Sequence, residues 1–286
     1  TSAITILMSI TVILDIAGGN IYAQRLRRTS FRLKEGIVDV NKVSVGADYP
    51  VFSRYTHEET VVPAIDAMLT EKPYPVKGLL VVGCSPVLTW PNSNKVREGF
   101  KKLDLLLVVD IFMTETAKLA DIVLPGTTFL EREDIRDYAN SLASMMAVTD
   151  KVIEPIGNSM EDWKIWIELG KRMGYAEYFP WQDSDELFSY WLQSTNISLD
   201  QLKQNPGGVY YAEREFQKYL RDGFNTPSKK VEIYSQTMEE HGYDPLPTYH
   251  EPAESPVSRP DLVDKYPLIF VSGLRILPYT HSKYRN

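Results

Sequence analysis

A single cysteine, Cys84, stands among 286 residues. It leaves no partner for an intrachain disulfide and too few thiolates to hold an iron–sulfur cluster. The four histidines, at positions 57, 241, 250 and 281, lie at no spacing that builds a metal site. Positive charge is also short: 31 Lys and Arg against 38 Asp and Glu give a formal charge of −7. That balance argues against a nucleic-acid surface, so a phosphate ligand would rest on local N–H groups and a few cations. Long apolar runs are scarce. Residues 2–17, SAITILMSITVILDIA, are marginal for a bilayer, broken by Asp15 and without the basic start of a leader. We read them as a helix packed against the rest of the protein and expect no direct membrane span. No internal repeat is visible. What remains is an acidic mixed α/β chain of one or two domains, whose hydrophobic share of 43% suffices for a core.

The most informative stretch runs from Lys77 to Arg132. It holds three continuous apolar runs: Leu79–Val82, Leu105–Val109 and Ile122–Leu124. Continuous rather than alternating runs predict strands of a parallel sheet buried on both faces. Asn92 or Ser93 suits the cap of a helix from about 94 to 103, and Thr114 that of a shorter helix through Ala120. Strand, helix and strand in this order predict right-handed βαβ units, which place ligands beyond the carboxyl ends of the strands. Two of those ends are polar, Gly83-Cys84-Ser85-Pro86 and Asp110-Ile111-Phe112-Met113-Thr114; the third strand ends at Leu124-Pro125-Gly126.

Each of these residues has a chemical use. An ionised Asp110 is acceptor-only and matches the paired N–H donors on the edge of a guanine. Thr114 adds a hydroxyl and a helix start, where free N–H groups favour phosphate. Gly83 admits close approach of a ligand to the backbone, and Pro86 stiffens the turn. The same Asp and Thr equally suit a strand end and a helix cap. Cys84, with no second thiol or histidine nearby, reads as a small residue in the turn rather than a nucleophile or metal ligand.

At these residues the chain resembles the molybdopterin oxidoreductases of the dimethyl-sulfoxide-reductase type. The resembling stretches are VVGCSPVLTWPNS, KLDLLLVVDIFMTETAKLADIVLP, FLERED, PIGNSMEDWKIWIELGKRMGY, GFNTPSKKVEIYS and YPLIFVSGLRILPYTHSKYRN, in the family's order and covering nearly the whole chain. The resemblance implies a Rossmann-like parallel sheet with flanking helices, a mostly helical region, and the start of a truncated β-barrel domain. It implies molybdopterin guanine dinucleotide, two per intact subunit, with molybdenum or tungsten. Gly83, Cys84, Ser85 and Pro86 match a turn against one dinucleotide, with Ser85 where Asn is usual. Asp110 and Thr114 match a pair that holds a guanine end. Gly273, Arg275, His281 and Ser282 resemble the turn opening the family's last domain. The usual glycine after the acidic segment is absent; Glu133-Asp134-Ile135 stands there.

Family members carry their iron–sulfur cysteines and metal-ligating residue upstream of the matched region. The resemblance therefore implies a central-to-late fragment of a catalytic subunit, with no catalytic or metal-ligating residue of its own. Implied partners are the remaining domains of the same subunit, an iron–sulfur electron-transfer subunit and a small-molecule substrate. The competing reading is a non-catalytic structural or binding module of the same fold in a respiratory complex. Neither substrate nor compartment is legible.

Along the chain, the expected regions are a dinucleotide-binding part over 1–150, a helical or mixed extension over 151–243, a Pro-rich connector over 244–265 and the truncated barrel over 266–286. A helix is expected from about 58 to 70 with Thr56 as cap. Arg25, Arg27, Arg28, Arg32 and Lys34 form the one basic cluster, suited to an anion or to a solvated loop. The run Glu131-Arg132-Glu133-Asp134 reads as a solvated face. Short strands are expected at 151–155, 231–234 and 268–271. A helix capped by Asn158 or Ser159 should run to about Met173 and stop at Gly174, and two more should lie within 183–204, before the break at Asn205-Pro206-Gly207-Gly208.

Overall fold

The computed structural model describes residues 2–31, 43–52, 58, 60–141 and 143–269. Helix α1, Ser2–Ile10, stops well short of residue 17. The chain turns through Val12 and Asp15, both at positive φ, and the Asp15 carboxylate is buried against the Lys218 ammonium. A charge placed in an apolar run has here become the anchor of a turn, since a buried carboxylate needs a cation. Among the described residues no helix is long and apolar enough to cross a membrane.

Helix α2, Val61–Thr70, follows Thr60, which holds the cap position; Thr56 lies outside the described residues. Next come strand β1, Gly78–Val82, the short helix α3, Pro86–Thr89, and helix α4, Ser93–Phe100. The Asn92 side chain accepts the Lys95 N–H at 3.2 Å and so starts α4, as that residue type predicts. Strand β2, Leu105–Asp110, and strand β3, Ile122–Pro125, complete a sheet in the order β1-β2-β3 with every pairing parallel.

The expectation of burial on both faces needs correction. Val81, Leu106 and Val108 are buried against Ile65 and Met68 of α2, Val87 of α3, and Val96 and Phe100 of α4. On the opposite face Leu80 and Ile122 are each 45% exposed. The order of the strands explains this. The chain steps in one direction across the sheet, and two right-handed crossovers taken in the same direction fall on the same face. Apolar side chains occupy both faces, and the described elements cover one.

A second, antiparallel sheet joins strand β4, Asp134–Asp137, to strand β5, Met145–Thr149, and β5 to strand β6, Val209–Tyr210. The expected strand at 151–155 is therefore displaced to 145–149, where Met146 and Val148 pack with Phe188, Leu192, Leu199 and Leu202. Helix α5, Asp162–Arg172, begins at Glu161 rather than at Asn158 or Ser159, and Gly174 at φ +90 ends it as expected. Helices α6, Ser184–Leu192, and α7, Leu199–Lys203, are capped by the side chains of Asp183 and Ser198. Residues 231–234 form no strand, and the expected strand at 268–271 lies partly outside the described residues. Within the basic cluster, the Arg28 guanidinium stacks 4.3 Å from the Trp191 ring and lies 3.6 Å from Asp137. Arg32 and Lys34 lie outside the described residues.

Candidate functional site

The carboxyl ends of all three parallel strands open into one cleft of about 770 Å³. Its polar lining comes from Gly83, Cys84 and Ser85 after β1, Asp110 at the end of β2, Thr127 after β3, and Arg132 and Asp162 beyond. The third strand end, which ends at an unpromising Pro-Gly, thus contributes as fully as the other two.

Gly83 adopts φ +60, and its N–H donates to the Val109 carbonyl at 2.9 Å, which locks the β1 turn to β2. Only glycine takes this conformation freely, so the turn depends on it. Ser85 is 4% exposed and turned away from solvent. Its hydroxyl pairs with that of Thr116 at 3.1 Å, and Thr116 Oγ1 also accepts the Val87 N–H at 3.2 Å. Pro86 is buried at the first position of α3, where its missing N–H is no loss.

Asp110 holds its loop through Oδ1, which accepts the Phe112 N–H at 3.0 Å. A carboxylate has about four acceptor positions, so most of this one remains for a ligand. Thr114 is placed differently. It is buried beneath the cleft, its hydroxyl accepts the Ala117 N–H at 3.1 Å, and its carbonyl accepts the Lys118 N–H at 3.0 Å. Thr116, not Thr114, holds the cap position of the 3-10 turn Ala117–Leu119, and the Thr114 hydroxyl takes that turn's first N–H. Asp110 therefore faces the cleft while Thr114 braces the loop behind it. Gly273, Arg275, His281 and Ser282 lie outside the described residues.

Burial pushes the Cys84 thiol up, and the Asp110 charge pushes it further, against a hydrogen bond at Val82 that lowers it. The thiol stays protonated and weakly nucleophilic. Burial also raises the Asp162 carboxyl; the Arg132 charge opposes that shift and Asp134 adds to it. Arg132 reaches back to donate to the Thr127 carbonyl at 3.0 Å.

Glu131, read as part of a solvated run, is 3% exposed. Its Oε2 accepts the Thr128 N–H and its Oε1 the Ile156 N–H, each at 2.7 Å. It staples the third wall of the cleft to the segment leading into α5. A consecutive run of charges masks this, because neighbouring residues in a loop point in different directions and one of them can turn inward.

The comparisons with known proteins bear on this region directly. Residues 11–172 match the model of the molybdopterin oxidoreductase family. The chain belongs to that family. Among its relatives, acetylene hydratase of Syntrophotalea acetylenica is 38% identical over 216 residues, covering 73% of this chain and 28% of that protein. The thiosulfate reductase molybdopterin-containing subunit PhsA of Salmonella typhimurium is 31% identical over 62% of this chain and 26% of its own length. The solved structure of acetylene hydratase from Pelobacter acetylenicus superposes with a TM-score of 0.67 at 34% identity, over 81% of this chain and 33% of that one. The chain thus spans about a third or less of the length of these relatives.

A molybdopterin oxidoreductase implies a molybdopterin-type cofactor with molybdenum or tungsten, and the cleft has the size and polar groups to take part in holding such a group. It is large enough for a nucleotide, carries an acceptor at Asp110 and a cation at Arg132, and contains one buried hydroxyl, Thr127 Oγ1, with no hydrogen-bond partner. Among the described residues no group of three or more His, Cys, Asp or Glu is placed to hold a metal ion. Local sequence gave little signal for Thr127, Arg132 or Asp162. An Asp in the first turn of a helix is ordinary, since the helix dipole favours it there.

Proposed function

We propose that this chain forms one wall of a bis-molybdopterin guanine dinucleotide site in a molybdenum or tungsten oxidoreductase subunit. The observation that carries the reading is Asp110, an acceptor set at the carboxyl end of the central strand and lining a nucleotide-sized cleft. In this role Asp110 takes the paired N–H donors of a guanine edge, Gly83 lets the ligand approach the β1 turn, and Arg132 supplies positive charge. Thr114 acts behind them, holding the Asp110 loop in place. The bound group supplies redox chemistry at its metal; the chain's own residues bind and orient its nucleotide end.

The relatives support a shared cofactor role rather than a shared substrate. They are named for acetylene, thiosulfate and formate, yet each matches more than half of this chain. What the region holds in common is then the cofactor, while the small-molecule substrate is selected elsewhere. The rest of the subunit and an iron–sulfur electron-transfer subunit complete the assembly in this reading.

The test is metal and guanine-nucleotide content of the full-length protein, purified anaerobically, for parent and Asp110→Ala. Loss of both in the variant, with unchanged circular dichroism, supports the proposal. Equal content in the two overturns the role of Asp110. A folded parent holding neither metal nor pterin would instead favour a structural module on the same fold.

A further inference from the structure

Four charged residues, Glu131 to Asp134, carry the chain from the third wall of the cleft into β4, which Asp134 opens. Their side chains end on different parts of the molecule. Glu131 turns inward and takes the Thr128 and Ile156 N–H groups. Arg132 turns to the cleft, where one nitrogen donates to the Thr127 carbonyl at 3.0 Å and another lies 3.9 Å from Asp134. Glu133 turns to the helices of the second sheet. Its Oε2 accepts the Ser184 hydroxyl at 2.6 Å, and its Oε1 lies 3.7 Å from the Lys203 ammonium.

Glu133 therefore joins two elements at once. Ser184 opens α6 and Lys203 closes α7. The carboxylate sits at the amino end of α6, where the helix dipole favours an anion. The Lys203 ammonium also meets Asp185 at 2.6 Å, so it is held between two carboxylates. Both helices pack through Phe188, Leu192, Leu199 and Leu202 on Met146 and Val148 of β5. Glu133 is anchored to a packed core and not to a loose loop.

The residue that gains from this anchor is Arg132. A long side chain that must be ordered on binding loses rotamer freedom, and one already held loses less. Glu131 fixes the Arg132 backbone on one side to the cleft wall, and Glu133 fixes it on the other side to α6 and α7. A guanidinium has five N–H donors, enough to hold the Thr127 carbonyl and still meet an anion. We propose that Glu133 is a positioning residue: through Ser184 and Lys203 it holds Arg132 at the cleft, so that the guanidinium meets the phosphate of the nucleotide whose base Asp110 reads. The assignment rests on the guanine-nucleotide reading above and extends it to helices that do not line the cleft.

The test titrates cofactor-free, full-length protein with guanosine and with GMP, which differ by the phosphate alone. The parent should bind GMP about tenfold more tightly, the worth of one hydrogen bond to a charged group. Arg132→Gln sets the floor, a ratio close to one. Glu133→Gln keeps an acceptor for Ser184 and removes the charge facing Lys203, while Lys203→Met removes the same pair from the other side. Each should lower the ratio to about threefold, the loss expected of a partly exposed ion pair. Lys203→Arg should keep the parent's ratio. A purely structural role would lower both affinities together, so an unchanged ratio in Glu133→Gln and Lys203→Met overturns this assignment alone. Lys203→Met decides the matter should Glu133→Gln fold poorly. A parent that binds both ligands equally also overturns it, and leaves the guanine to Asp110. A parent that binds neither overturns the proposed function, and this assignment with it.

Discussion

The hydroxyls of Ser85 and Thr116 meet at 3.1 Å in the interior, joining the turn after β1 to the turn after β2. Thr116 is fully buried and also takes the Val87 N–H, so one oxygen holds two loops that line the cleft. Thr116→Val keeps the shape but strands both partners. A buried group left unpaired costs about 1–3 kcal/mol, so urea denaturation should show a loss of that order, and Thr116→Ser should recover most of it. A wild-type midpoint for Thr116→Val would show the pair to be incidental. Ser85 stands where the resembling turn has Asn, and the small hydroxyl is what lets it tuck under the loop.

Gly83 separates binding from stability. Its φ of +60 charges any side chain about 1–2 kcal/mol, yet a Cβ there meets nothing within 4 Å. Gly83→Ala should therefore fold with a modest loss, and Gly83→Asn with less, since Asn tolerates the left-handed region. Both place atoms at the edge of the cleft, so guanine-nucleotide retention should fall by more than the loss of stability accounts for. Nucleotide content measured beside melting temperature separates the two effects.

Much of this was legible in the chain. Three continuous apolar runs fix the strands because a parallel sheet requires them, and Asn92, Asp183, Ser198 and Gly174 mark helix ends by chemistry that acts within a few residues. The bare sheet face was not legible, because it follows from strand order, and order is set by contacts distant in sequence. Glu131 and Asp162 were hidden for the same reason: an acid in a charged run or a first helical turn looks solvated until the fold brings another segment over it. The strand at 145–149 was missed in favour of 151–155 because its partner β4 is polar and carries no apolar pattern.

Cys84 offers a local probe of the cleft. Burial first, and the Asp110 charge second, raise its thiol above the ordinary value, so little thiolate is present at neutral pH. Alkylation by iodoacetamide should be slow at pH 7 and quicken only well into the alkaline range. Asp110→Asn removes the charge and leaves the burial, so labelling should speed up at any given pH, by a few-fold rather than by orders of magnitude. A rate indifferent to the substitution would mean that the carboxylate does not face the thiol.

Glu131 makes stability depend on acid in a predictable direction. The Thr128 hydroxyl and N–H, then the Ile156 N–H, hold its carboxyl below the usual range. The folded state therefore binds the proton less readily than the unfolded chain. The staple contributes fully above the ordinary glutamate range and is lost as pH falls through and below it. Glu131→Gln cannot accept as the carboxylate does and turns an amide N–H toward existing donors. At pH 7 it should melt several degrees lower, within the range expected when a buried hydrogen-bond network is broken. The gap between parent and variant should narrow steadily as the buffer is acidified, because the parent then loses the same charge. Melting curves at several pH values decide it: a gap constant with pH would assign the loss to packing, and the charged staple would not be what holds the third wall of the cleft.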